Sequence, residues 1–365
     1  MKYLFILGRN IELSIAEIKS FLKRYDIPFK EIGLTGNGLL IETDKKLTNT
    51  IDKLGGVISI GEVLASGSLK NIANELNKIN LYGVSGNKLN YILHDFEGKE
   101  TDEISSYLKK RFRGEGLKAT EKKPTGNIRL QEGNIVKKTT SKLIDEEYFA
   151  FGDNFGRITE KSDYEKIEER DMKKPVRRNE LSISPRLAKI LINLSEVREG
   201  ETLLDPFCGI GVILEEALLQ NIRVKGIDRD KNAIANAKTN MKWFGFDENS
   251  YRLINDDSSK IKIHGVDGIA TEPELGELQK SIPDIDKARQ IIHNFEELII
   301  RVFNNLKQSV TGKIAFTAPL ILTGKNRIAC DFERISLKTG LKLILVIPEF
   351  RESSIVGRSV VVMGK

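Results

Sequence analysis

From about residue 185 to the carboxyl end, strand-length apolar segments alternate strictly with amphipathic helices. The segments read TLLDPF, GVILEEALLQ, RVKGIDRD, KNAIANAKTNMKWFG, YRLINDD, VDGIATEP, FEELIIRVFNNLK, GKIAFTAP and LKLILVIPEF. A helix, SPRLAKILINLSEV, precedes them with Pro185 near its first turn, where a missing N–H costs nothing. Strict alternation of this kind implies a doubly wound parallel sheet with helices on both faces and ligands at the carboxyl ends of its strands. The fold class expected is therefore α/β for this part of the chain.

The amino-terminal part follows a different, α+β rhythm. YLFILG, GLLIET, GVISIGEVL and LNYILHDF read as strands. LSIAEIKSFLKRY reads as a helix opened by Ser14 as N-cap, with Ile15, Ile18, Phe21 and Leu22 on one face. A helix is also expected around 70–79, and TDEISSYLKKRFRGEG reads as another. A chain of 365 residues exceeds one ordinary core, so two or three units are expected. The stretch 153–180 is highly charged and poor in apolar residues, which reads as a linker, and its end is basic: Lys173, Lys174, Arg177 and Arg178.

Several classes of function are disfavoured. Two cysteines, Cys208 and Cys330, make no disulfide framework, and MKYLFILGRN is a strand pattern rather than a signal peptide. No apolar run approaches the ~20 residues that span a bilayer, and the three histidines show no metal-ligand spacing. A reduced, cytoplasmic protein with no metal, no membrane association and no evident obligate protein partner is expected. The net charge of +6 is mild. Its distribution is not: residues 104–142 hold eleven Lys/Arg against three acids, an excess suited either to a solvated surface or to a polyanion.

The chemistry concentrates in 203-LLDPFCGIGVILEEALL-219 followed by 224-VKGIDRD-230. A strand ending in Asp205 meets a turn with Gly209 and Gly211 and then a helix, a geometry that brings a cofactor against bare backbone. Asp228 closes the next strand, about 20 residues on, where an acid can accept ribose hydroxyls. A dinucleotide fingerprint requires a third small residue where Leu214 stands, and an acid ahead of the turn suits a cation better than a pyrophosphate. Asp256, or its neighbour Asp257, closes the third strand. Cys208 lies in the cofactor turn, where a nucleophilic role is disfavoured, and Trp243 reads as packing.

DPFCGIG with its downstream acid resembles motifs I and II of class I S-adenosyl-L-methionine-dependent methyltransferases. Together with FILGRNIELSIAEIKSFL, LGGVISIGEVL and the connector RDMKKPVRRNELSISPRLAKILINL, it resembles the THUMP-containing RNA methyltransferases, specifically those that methylate N2 of guanosine 10 in tRNA. The resemblance implies a ferredoxin-like domain over 1–55, an RNA-binding THUMP domain over 56–152, a linker over 153–180 and a Rossmann-like methyltransferase domain over 181–365. It implies S-adenosyl-L-methionine held by Asp205, Phe207, Gly209, Gly211, Asp228 and Asp256, with Asp256 reaching the adenine amino group. It also implies tRNA gripped through Lys109, Lys110, Arg111, Arg113, Lys122, Lys123, Arg177 and Arg178.

In that family the fourth strand ends in an acid or Asn followed by Pro-Pro-aromatic. Here Glu272, Pro273, Glu274 and Leu275 hold those positions, so Glu272 and Pro273 are the expected catalytic pair. An exocyclic guanine nitrogen is a poor nucleophile, and a carboxylate accepting its N–H bonds orients the lone pair and offsets developing positive charge. Glu272 adds a methylene to the family's acid, about 1.5 Å of reach. Leu275 removes an aromatic surface typically worth about 1–3 kcal/mol per stacked base. Three readings remain open: an active tRNA guanine-N2 methyltransferase, a weak or inactive protein that binds cofactor and tRNA, and a methyltransferase acting on another RNA or DNA.

Overall fold

The computed structural model describes residues 1–131, 133–138, 143–177, 183–276 and 281–365. Of the residues expected to bind RNA, Arg178 lies outside these. The described elements are β1 (Lys2–Leu7), α1 (Ile11–Arg24), β2 (Phe29–Thr35), β3 (Gly38–Thr43), β4 (Val57–Ser66), α2 (Leu69–Leu76), β5 (Lys88–Phe96), α3 (Thr101–Gly114) and β6 (Lys118–Glu121). Next come β7 (Gly126–Arg129), β8 (Ile135–Lys138), β9 (Glu146–Phe151), β10 (Asn154–Lys161), α4 (Tyr164–Lys173), α5 (Pro185–Ser195), β11 (Thr202–Asp205), α6 (Val212–Leu218), β12 (Arg223–Asp228) and α7 (Lys231–Phe244). The chain closes with β13 (Tyr251–Asn255), β14 (Gly268–Thr271), α8 (Ile285–Leu306), β15 (Ile314–Thr323), β16 (Asn326–Ala329), α9 (Phe332–Thr339), β17 (Lys342–Glu349) and β18 (Val356–Gly364).

Two compact units share these elements. The first comprises residues 1–11, 27–52 and 56–162, and the second 12–26, 53–55 and 163–365. In the first, one mixed sheet runs β2-β3-β1-β4-β10-β9-β5-β6, and β7 pairs with β8 as a separate hairpin. The antiparallel β1–β4 pairing joins strands on either side of residue 55 into this one sheet. β10, which the linker reading had included, is a further strand of it, paired with β4 and β9. Apolar strand faces and α2 and α3 close a core around Leu76, Tyr91, Leu108, Phe112 and Tyr148.

The second unit holds a sheet of order β13-β12-β11-β14-β15-β18-β17, with β16 on β15. Strands β11 to β15 pair in parallel, as alternation implied, but β18 pairs antiparallel to both β15 and β17. The sheet is therefore mixed, because β17 and β18 follow one another without a crossover helix and must return antiparallel. Cores lie on both faces, one built by α5 and α6 and the other by α8 and α9. Strand order reverses between β11 and β14, which defines the crevice where such sheets bind ligands.

Two expectations are corrected here. Ser14 does not cap α1: the helix begins at Ile11, and Ser14 is buried within it beside Leu13, Glu17 and Ile18. The charged stretch after β10 contains α4, which is pinned within the second unit. Arg170 pairs with Glu216, while the buried Lys174 lies 2.7 Å from Asp171 and 3.2 Å from Glu215 of α6. Its poverty in apolar residues reflects attachment by charge rather than by hydrophobic packing.

Candidate active site

The turn after β11 is built as the sequence indicates. Gly209 and Gly211 adopt φ of +51° and +96°, left-handed values that a side chain would strain. A Cβ at Gly209 would meet no atom within 4 Å, so the turn presents open backbone beside the start of α6. Cys208 is buried, and burial pushes its thiol well above the ordinary range, which removes it as a nucleophile.

Three carboxylates come together at the ends of β11, β12 and β14. Asp205 is 2 % exposed and accepts from Thr271 Oγ1 at 2.5 Å and from the Phe207 amide at 3.1 Å. Burial pushes its carboxyl up to about 7, with Asp228 and Glu272 adding to the rise. Phe207 leans against the α8 side of the core.

Asp228 anchors the turn as well as closing β12. Its Oδ2 accepts the Gly209 N–H at 2.9 Å and its Oδ1 the Asp230 N–H at 2.8 Å. Each oxygen keeps a second lone pair for a ligand hydroxyl. The two aspartates at the end of β13 differ in their surroundings. Asp257 caps its own loop, accepting from the Ser259 amide and hydroxyl at 2.9 and 2.7 Å, whereas Asp256 is exposed and, among the described residues, accepts only the Asp257 amide at 2.7 Å.

Glu272 follows β14, and Pro273 after it is buried. The Glu272 side chain accepts from Arg358 Nε at 2.6 Å and from Thr317 Oγ1 at 3.3 Å. Glu274 points into solvent and approaches Arg229 at 3.9 Å, while Leu275 packs against the α8 core. Thr271, Thr317 and Arg358 were missed from the sequence. Thr271 adjoins Glu272 and could have been suspected, but Arg358 comes from β18, 86 residues away, and only strand pairing brings it in.

The basic residues of the first unit divide. Ile104, Leu108 and Phe112 bury one face of α3, leaving Lys110 and Arg113 exposed, as are Lys122 and Lys123 after β6. Lys109 pairs with Glu121 at 2.9 Å. Arg111 does not serve as a free phosphate donor. Its guanidinium spans Glu115, the Leu76 carbonyl and the Ile79 carbonyl at 2.9, 2.5 and 2.7 Å, because the end of α2 needs its carbonyls satisfied. In the second unit, Arg177 follows Val176, whose amide and carbonyl are both bound by Asn240. Among the described residues no group of three His, Cys, Asp or Glu side chains could hold a metal, and no helix is long and apolar enough to cross a membrane.

Comparison with known proteins meets this geometry. Residues 174–305 match the family described as RMKL-like, methyltransferase domain. The chain is 32% identical over 170 residues to a tRNA (guanine(10)-N2)-dimethyltransferase of Methanothermobacter thermautotrophicus, covering 46% of this chain and 48% of that protein. It is 29% identical over 161 residues to the Pyrococcus abyssi enzyme of the same name, covering 43% of each. The chain thus spans about half the length of the curated relatives it matches. The crystal structure of TrmN from Thermus thermophilus aligns over the whole of both chains with a TM-score of 0.51 at 14% identity, a likeness of fold. Residues 174–305 are thus similar to a methyltransferase domain of the RMKL-like kind, and they lie in a unit whose α/β fold is Rossmann-like.

Proposed function

We propose that this protein is a cytoplasmic S-adenosyl-L-methionine-dependent methyltransferase that acts on the exocyclic N2 of a guanosine in tRNA, at position 10 by analogy with its relatives. The observation that carries the reading is the convergence of open glycine backbone with Asp205, Asp228 and Glu272 at the carboxyl ends of three adjacent strands. The residues fit the cofactor: Asp205 would balance its cation, the Gly209–Gly211 turn would admit close approach, Asp228 would accept ribose hydroxyls and Asp256 would reach an adenine. When bound, S-adenosyl-L-methionine supplies a methyl group on a sulfonium, a good leaving group.

What remains for the chain is placement. Glu272 accepts an N–H of the target amino group, which turns the nitrogen lone pair toward the methyl and offsets the positive charge that grows on nitrogen. Pro273 holds the backbone behind it. The amino-terminal unit, with the ferredoxin-like and RNA-binding roles assigned to it, grips tRNA phosphates through Lys109, Lys110, Arg113, Lys122 and Lys123.

The test is mass spectrometry of tRNA nucleosides after incubation with the purified protein and labelled cofactor. N2-methylguanosine or its dimethyl form is expected, and no methylated guanosine would favour a protein that only binds. Reversing Lys110, Arg113, Lys122 and Lys123 to Glu should abolish tRNA binding and leave cofactor affinity unchanged. Unchanged tRNA affinity would move the RNA surface elsewhere.

A further inference from the structure

Glu272 is held by one oxygen. Its Oε1 accepts from both Arg358 Nε and Thr317 Oγ1, while Oε2 has no hydrogen bond among the described residues. β14, β15 and β18 lie side by side and carry, or lead into, the three residues. β14 and β18 flank β15, so they stand about 9.5 Å apart. The gap is bridged from both sides, by an acid one methylene longer than aspartate and by an arginine. Arg358 enters through Nε, and its two terminal nitrogens bond to nothing among the described residues. The cation also stands in an acidic neighbourhood, since Glu272 raises Asp205 together with Asp228.

We propose that Arg358 is a positioning residue for methyl transfer: it fixes Oε1 of Glu272 with Thr317 so that Oε2 is the oxygen offered to the target amino group. The inference rests on the reading of Glu272 as that acceptor. It also accounts for the glutamate. The extra carbon is used to reach the arginine, and the shorter acid would fall about 1.5 Å short of it.

The test is steady-state methylation of a tRNA transcript by the full chain, with cofactor affinity measured by calorimetry and folding followed by melting temperature. Arg358→Gln should lower kcat about tenfold or more, with KM for tRNA and cofactor affinity within about twofold of wild type. Arg358→Lys, which keeps the charge, should recover part of the loss. Because Arg358 acts through Glu272, the double variant Glu272→Gln, Arg358→Gln should be no slower than Glu272→Gln alone. Losses that multiply, or a wild-type kcat in Arg358→Gln while Glu272→Gln is impaired, would overturn the role of Arg358. A wild-type rate in Glu272→Gln would instead overturn the acceptor reading beneath it.

Discussion

At the scale of single residues, the cofactor-binding role proposed for Asp205 conflicts with what its burial does to the fold. Its carboxyl titrates near 7 in the folded protein, against 3.8 for an ordinary aspartate. Below about pH 4 the carboxyl is neutral both folded and unfolded and costs nothing. Between those values the folded state holds a proton that the unfolded state has released, so stability falls as pH rises and the full cost is present above about pH 7. Asp205→Asn should therefore melt higher than wild type at pH 8, with the gain fading toward pH 4, while binding S-adenosylmethionine far more weakly. A melting difference independent of pH would show that the carboxyl is not neutral in the folded ground state. In wild type, calorimetry should show cofactor affinity decreasing below pH 7, because a cation needs the ionised acid.

Among elements, α4 shows most directly what charge can do in place of apolar packing. Lys174 and Glu215 are both buried, and burial raises the Glu215 carboxyl to about 7 despite the lysine. Lys174→Met keeps most of the stem and removes the charge, leaving a buried carboxylate without its cation, a change worth about 3–5 kcal/mol when a buried pair is broken. Urea unfolding at pH 8 should show that loss, and at pH 5 a smaller one, since Glu215 can then take up a proton. An equal loss at both pH values would mean the lysine acts by packing. Much at this scale was legible in the sequence. The strand, glycine turn and helix around 203–219 stand where their pattern put them, because turn chemistry and hydrophobic period are local. β18 was not read, nor was Arg111 recognised as the residue that ties off α2, because a cationic side chain looks the same in sequence whether it meets solvent, a phosphate or a distant carbonyl. Glu272 could be singled out from its neighbours, whereas Arg358 could not, since its part depends on β18 pairing with β15.

For the whole molecule, the last division between the compact units, at residues 162 and 163, falls within the charged stretch 153–180, but the units also exchange segments much earlier in the chain. Most of α1 and residues 53–55 group with the second unit. There, Arg24 donates to Asn193 and Gln220 at 2.9 and 2.8 Å, and Glu17 accepts from Asn193 and from the Gly55 amide at 2.9 and 2.7 Å, all in the interior. A fragment beginning at residue 163 should leave Asn193 without these partners and unfold at lower denaturant than the full chain, at a cost of about 1–3 kcal/mol per orphaned group. An unchanged midpoint would mean that α1 is dispensable to that unit. Counting the step from residue 162 to 163, the chain passes between the units five times, and this gives the molecule a timetable. On the ribosome α1 emerges well before its partners Asn193 and Gln220, which follow 169 and 196 residues after Arg24. At about 5–20 residues per second, the helix must wait roughly 10–40 s for the rest of its core to be made.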